Sequence, residues 1–116
     1  MRILHASFLV SNLEASHRFY TQALGLDAVE RPDLGFPGVW YGLEGGQQIH
    51  LMQLPGAGGG SGHGGRDRHV AFSVENIDAL VLRLEKMGVS HTASRSGRRA
   101  VFCRDPDGNA LEFVQS

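Results

Sequence analysis

Short stretches of alternating apolar and polar residues run along the chain, and two longer stretches carry apolar residues at helical spacing. Period-two alternation predicts strands, whereas the i, i+3, i+4, i+7 spacing within Ile77–Leu84 predicts an amphipathic helix. The predicted helices lie between a capping Asn12 and Gly25 and between a capping Asn76 and Gly88. The predicted strands are Ile3–Val10 and about 28–31, 39–43 and 47–53, then about 70–74, 90–94, 100–104 and 110–115. This order predicts an α+β fold of two βαβββ modules.

The two halves of the chain also resemble each other in sequence. LHASFLVSNLEAS in the first half aligns with RHVAFSVENIDAL in the second, which places His5 on His69 at an offset of 64 residues. Near the ends of the halves, GGQQIHLM aligns with DGNALEFV and places His50 on Glu112 at an offset of 62. Because the offset changes by only two residues, we interpret the halves as copies of one repeated unit.

The four aligned residues His5, His50, His69 and Glu112 share a position within their strands. In each strand, alternation puts the largest apolar side chains on the opposite face, which we expect to pack against a helix. The candidate residue lies on the other face with smaller or more polar neighbours. Imidazole and carboxylate groups are common ligands of divalent metals. The pattern therefore predicts a metal site formed by these four residues on the sheet face away from the helices.

Length and composition limit the alternatives. The chain has 116 residues, a formal net charge of −1 and one cysteine, Cys103, which cannot form an internal disulfide. The charge favours neither nucleic acid nor an anionic membrane as a partner. The apolar stretches are shorter than a membrane span, and the first residues lack a signal-peptide cleavage pattern, so we expect a cytoplasmic protein. We predict one domain over 1–116, with modules at about 1–54 and 66–116 joined by a flexible Gly-rich linker at 55–65.

Several motifs carry a family resemblance that covers essentially the whole chain. The segments NLEASHRFYTQALGL, RHVAFSV and DPDGNALEF, together with His5 in the first strand, are similar to the vicinal oxygen chelate superfamily. Within it, the chain resembles the glyoxalase-I-like subgroup. The resemblance implies an open, U-shaped, eight-stranded sheet around a metal cavity, a homodimer, and a small substrate that chelates the metal through adjacent oxygens. It also implies ligand roles for His5, His69 and Glu112.

His50 occupies the fourth position of that ligand set. In glyoxalase I of the bacterial type this position is an acid, and the change leaves Glu112 as the one carboxylate of the four. We expect lyase or isomerase chemistry through an enediolate, with Glu112 both as ligand and as the group that moves the proton. Three nitrogens and one oxygen suit Zn, Ni, Co or Fe(II) better than Mg or Ca.

Other readings stay open at the level of sequence. His5, His69 and Glu112 also match the two-histidine, one-carboxylate set of an extradiol-type dioxygenase. A non-catalytic binder in the manner of bleomycin-resistance proteins would need no metal. For substrate binding, Trp40 supplies an aromatic surface, and Arg68 and Arg98 are candidate partners for an anionic group.

Overall fold

The computed structural model describes all residues from Met1 to Ser116, and it contains the two predicted βαβββ modules. The chain divides into two compact units, Met1–Gly58 and Gly59–Ser116. The boundary between the units lies inside the predicted Gly-rich linker. None of the helices has the length and apolar character needed to span a bilayer.

The first unit is a four-stranded sheet with one helical segment. The strand order is β1-β4-β3-β2, with β1 parallel to β4 and the other pairs antiparallel. The prediction began the first strand too early, because Ile3 and Leu4 precede it and are exposed. The elements are β1 (His5–Val10), α1 (Leu13–Arg18), which continues as a π-helical turn (Phe19–Ala23), β2 (Asp27–Val29), β3 (Gly38–Gly42), a 3₁₀ turn (Glu44–Gly46) and β4 (Gln48–Gln53).

The second unit repeats this plan. Its strand order is β5-β8-β7-β6, again with the first and last strands parallel and the other pairs antiparallel. The elements are β5 (His69–Val74), α2 (Ile77–Lys86), β6 (His91–Ala93), β7 (Ala100–Arg104) and β8 (Ala110–Gln115).

The register of the strands is the same in both units. Trp40 pairs with His50 across β3 and β4, and Phe102 pairs with Glu112 across β7 and β8. The parallel pairs match in the same way, since His5 lies opposite Gln48 and the equivalent His69 lies opposite Ala110. The repeat inferred from sequence is therefore a repeat of strand pairing as well.

Both helices begin and end at the residues that the sequence indicated. The side-chain oxygens of Asn12 and Asn76 each accept a hydrogen bond from the backbone N–H three residues later. Gly25 and Gly88 follow the helical segments with φ angles of 73° and 68°, a region that side chains with a Cβ rarely adopt.

One face of each sheet forms the core. Ile49 and Leu51 on β4 are buried, and the buried Tyr41 on β3 forms a 2.7 Å hydrogen bond through its hydroxyl with Nδ1 of His17 on α1. In the second unit the buried strand residues are Leu111 and Phe113, and α2 buries Ile77, Leu80 and Leu84. His50 and Glu112 alternate with these core residues, so they point to the face away from the helix.

The start of the second unit is held by Arg104 on β7. Its guanidinium donates hydrogen bonds to the backbone oxygens of Ser61 and Gly62, and it forms a 2.8 Å ion pair with Asp67. The backbone N–H of Gly59 donates to the oxygen of Asp107 in the DPDGN turn. Residues 59–62 therefore have regular partners in the second unit, which composition alone did not indicate.

We expect Tyr41→Phe to lower the free energy of unfolding by about 1 kcal/mol, because it removes the hydroxyl that pairs with His17. Burial raises the pKa of Tyr41 to about 12, so the phenol stays protonated at neutral pH. Urea denaturation checks the prediction. A midpoint equal to that of the unsubstituted protein would mean that this hydrogen bond does not stabilise the first unit.

Candidate functional site

In the second unit, two of the four candidate ligands contact each other. Nε2 of His69 lies 3.2 Å from Oε2 of Glu112. The register of β5 and β8 explains the contact, because Ala71 lies opposite Glu112 and His69 is two residues earlier on the same face. Glu112 is 3% exposed, so the contact is made by a carboxylate that is almost fully withdrawn from water.

The hydrogen bond of the other ring nitrogen of His69 determines whether Nε2 is a donor or an acceptor in this contact. Nδ1 lies 2.9 Å from the backbone oxygen of Asp67, and since a carbonyl can only accept, Nδ1 carries the proton. In the neutral ring Nε2 then holds a lone pair that faces the Glu112 carboxylate. Two acceptors at 3.2 Å repel each other unless a positive charge is shared between them. The pair is arranged to share a proton or a cation.

The distance between Nε2 of His69 and Oε2 of Glu112 is that of two ligand atoms bound to one metal ion. Two donor atoms bound to one metal ion at about 2.1 Å lie roughly 3.0–3.4 Å apart in octahedral or tetrahedral geometry. The 3.2 Å between His69 and Glu112 falls within this range. A ligand histidine usually donates its second ring N–H to a carbonyl or carboxylate, as His69 does to Asp67.

Arg98 is the second charged partner of Glu112. Its Nη2 lies 3.0 Å from Oε1, while its side chain is 60% exposed. The buried carboxylate therefore has one oxygen against His69 and the other against an exposed cation. A buried charge without such partners would be strongly destabilising. Arg98 was predicted to contact substrate, and in this structure it contacts Glu112.

In the first unit, His50 lies between two rings. Its ring centroid is 4.0 Å from that of Trp40 and 4.2 Å from that of His5, with interplanar angles of 4° and 12°. Nε2 of His50 donates to the amide oxygen of Gln48 at 2.8 Å, which leaves Nδ1 as the acceptor nitrogen. His50 is buried, whereas His5 is exposed.

This stack differs from the pair in the second unit. An imidazole lone pair lies in the plane of its ring, so the lone pairs of two near-parallel stacked rings do not converge on one atom. One ring must turn before His5 and His50 can bind the same ion. The structure thus brings the four candidates together as two pairs, one in each unit, and no three His, Cys, Asp or Glu side chains of the chain are grouped as metal ligands.

The environment of His50 predicts a pH dependence of stability. Burial, followed by the nearby charges of His5 and Arg31, holds the pKa of His50 below its usual value of 6.5. The unfolded chain therefore binds more protons, and stability is full above about pH 6.5 and decreases as the pH falls below it. We expect the urea midpoint of chelator-treated protein to fall between pH 7 and pH 5, and to fall less in His50→Gln. Equal slopes for the two proteins would contradict this assignment.

Trp40 and Arg68 are the other two residues that the sequence predicted to bind substrate. Trp40 packs against His50 on the candidate face, as the register requires. Arg68 is exposed. His63 was not among the residues predicted for the site, yet its Nδ1 lies 2.6 Å from Oγ1 of Thr92 and its ring packs on Phe102. The same Phe102 also contacts His69, so His63 is a neighbour of the second-unit pair.

Sequence reasoning also missed Arg31, whose charge reaches His50. The second strand was predicted over about 28–31, but β2 ends at Val29, so Arg31 follows the strand. Neither its spacing nor its neighbours in the sequence indicate a site. For His63, the available signal was a histidine within an otherwise Gly-rich segment.

The chain is similar to known proteins over nearly its whole length. The model of the Glyoxalase/Bleomycin resistance protein/Dioxygenase superfamily matches residues 2–113. A lactoylglutathione lyase from Haemophilus influenzae is 28% identical over an alignment of 126 positions, which covers 100% of this chain and 93% of that protein. The crystal structure of a glyoxylase/bleomycin resistance protein/dioxygenase domain from Frankia sp. EAN1pec is 29% identical with a TM-score of 0.78, covering 100% and 98% of the two chains. The fosfomycin resistance protein FosX from Listeria monocytogenes shares the fold, with a TM-score of 0.81 at 16% identity and coverage of 97% and 89%.

Proposed function

Because the chain belongs to the glyoxalase/bleomycin resistance protein/dioxygenase superfamily, we propose that it is a divalent-metal-dependent enzyme that acts on a small oxygenated substrate. The proposed reaction is of the lyase or isomerase type and passes through an enediolate. The site consists of His5, His50, His69 and Glu112, with a metal such as Zn, Ni, Co or Fe(II).

The observation that carries this proposal is the acceptor-to-acceptor contact of His69 and Glu112. Neutral His69 has one ring N–H, and Nδ1 already donates it to the backbone oxygen of Asp67. The lone pair of Nε2 and the Glu112 carboxylate together therefore favour a positive charge between them. A structural ion pair with a protonated His69 would serve stability equally well. The match of His69 and Glu112 to the ligand positions implied by the family resemblance favours the metal.

The donor set also fits the chemistry of such an ion. When bound, the cation would supply Lewis acidity that stabilises negative charge on substrate oxygens. Glu112 would move the proton between adjacent carbons, since it is the one carboxylate among the four candidates. Its burial excludes water from the carboxylate, which strengthens its interactions with a charged partner.

The surrounding side chains would position the substrate. Trp40 and His50 form an aromatic wall on the first sheet. Arg98 would leave Glu112 and pair with an anionic substrate group, which its high exposure permits. Arg68 is a further candidate for such a group because its guanidinium lies at the surface.

The direct test of the reaction uses methylglyoxal and glutathione with metal-reconstituted protein, following thioester absorbance. A lyase of this kind produces a metal-dependent increase that a chelator abolishes. Turnover that strictly requires molecular oxygen would instead identify an extradiol-type dioxygenase. Absence of turnover with carbonyl, catechol and hydroxy-acid substrates at full metal occupancy would contradict an enzymatic role.

The stacking of His5 on His50 favours a second candidate, a metal-free binding protein. In this case the rings would act as an aromatic surface for a planar ligand, and their parallel arrangement would need no change. Saturable binding of a planar ligand by protein that takes up no metal would select this candidate.

A further inference from the structure

Arg31 has an unusual position in the first unit. Its guanidinium lies against the backbone of Gly38, where a Cβ atom built on that glycine would be 2.8 Å from Nη2 and 2.9 Å from Cζ. The same guanidinium lies 5.0 Å from the ring centroid of Phe36 and donates from Nη2 to the Phe36 backbone oxygen. The side chain is therefore held in place by a glycine that leaves room for it and by an adjacent aromatic ring.

The hydrogen-bonding capacity of this cation is largely unused. Nε of Arg31 is buried and has no hydrogen-bond partner, a condition that it shares only with the hydroxyl of Ser16 among the buried side-chain atoms. Arg31 takes part in none of the five ion pairs of the chain. Buried polar groups are nearly always paired, and a buried charged donor without a partner is costly. The guanidinium therefore keeps N–H groups for which no backbone or side-chain atom of the chain is an acceptor.

Arg31 lies beside the two strands that carry Trp40 and His50. Gly38 and Trp40 are two residues apart on β3 and share a face, and Trp40 stacks on His50. A Cβ atom on Gly38 would also lie 2.5 Å from the backbone oxygen of Leu51 on β4, so the guanidinium lies beside the β3–β4 pair that carries Trp40 and His50. Its charge also contributes to the lowered pKa of His50.

We propose that Arg31 is an anion-binding subsite beside the Trp40–His50 wall, and that it recognises a carboxylate of the substrate. A carboxylate accepts two guanidinium N–H groups at once, so it is the ligand best suited to an Arg with unused donors. This inference rests on the proposed function and specifies its substrate class as an acid that also carries adjacent oxygens. The carboxylate belongs either to a small hydroxy acid or to a glutathione conjugate.

Fluorescence of Trp40, the single tryptophan of the chain, reports binding without any requirement for turnover. The probes are mandelate, its neutral analogue 1-phenyl-1,2-ethanediol and S-benzylglutathione, each titrated into chelator-treated and into Zn²⁺-loaded protein. We expect Arg31→Ala to weaken binding of mandelate, S-benzylglutathione or both by about tenfold to a hundredfold, and to leave the neutral diol unchanged. The acid that is affected identifies the source of the carboxylate.

The control is Arg18→Ala, which removes the same charge from the exposed end of α1. It should bind all three probes as the unsubstituted protein does. Arg31→Lys keeps the charge without the two-pronged donor and should restore only part of the affinity. Equal affinity of Arg31→Ala and the unsubstituted protein for both acids, or loss of all three probes in parallel, would overturn the subsite. Because the titration is also done without metal, it gives its answer even if the protein binds no metal.

Discussion

Replacing Glu112 with glutamine is expected to abolish most of the proposed metal binding and most of the proposed turnover together. The change removes the negative charge but keeps the shape, so His69 and Arg98 lose their shared partner while the packing of β8 is retained. Loss of a proton-transfer group costs about 10²–10⁴-fold in rate. Metal affinity should fall at least about tenfold, as it does when weaker supporting contacts of a metal site are removed. Metal content after dialysis and initial rates at saturating metal measure the two effects.

The matched control for this experiment is Glu75→Gln, which makes the same chemical change at an exposed position before α2. It should keep full metal content and full activity. A Glu112→Gln protein that binds metal as tightly as this control would show that the carboxylate serves only the ion pairs with His69 and Arg98.

Replacing His50 with glutamate is expected to raise lyase activity with methylglyoxal and glutathione by at least about tenfold. The family resemblance implies an acid at this position in bacterial glyoxalase I, and a second carboxylate beside the metal would add a group able to accept the proton. The imidazole at this position is stacked between Trp40 and His5, so its removal also frees both neighbouring rings. Initial rates of thioester formation at fixed metal occupancy give the comparison.

His50→Gln separates the two effects of that substitution, since it removes the stacked ring without adding a carboxylate. Its rate should stay at or below that of the unsubstituted protein. If the glutamine and glutamate variants have the same rate, the fourth position does not control proton transfer, and the imidazole has another function in this chain.

Because the two halves repeat, much of the fold was predictable from the sequence. Period-two alternation depends only on which side of a strand is covered by a helix, and His50 and Glu112 both lie opposite buried residues as that rule requires. The caps at Asn12 and Asn76 were equally predictable, because a side chain that satisfies the first helical N–H groups acts within three residues. The π-helical turn after Arg18 was not predictable, because apolar spacing does not distinguish it from a continued α-helix.

The candidate site was less accessible, because its geometry depends on side-chain rotamers. Strand alternation gives the face on which His5 and His50 lie, but it does not specify that their rings stack. Arg98 contacts Glu112 from a loop, and Arg31 reaches Gly38 from the segment after β2. No periodic pattern of apolar and polar residues predicts either contact. Such contacts depend on loop conformation, which local patterns constrain weakly.

X-ray absorption spectroscopy of protein loaded with one equivalent of Zn²⁺ tests the proposed metal site most directly. We expect nitrogen and oxygen ligands at about 2.0–2.1 Å with the scattering of three imidazoles, one of which disappears in each of His5→Ala, His50→Ala and His69→Ala. A protein that retains no zinc, or a spectrum that is the same in all three variants, would contradict a metal centre built from these residues.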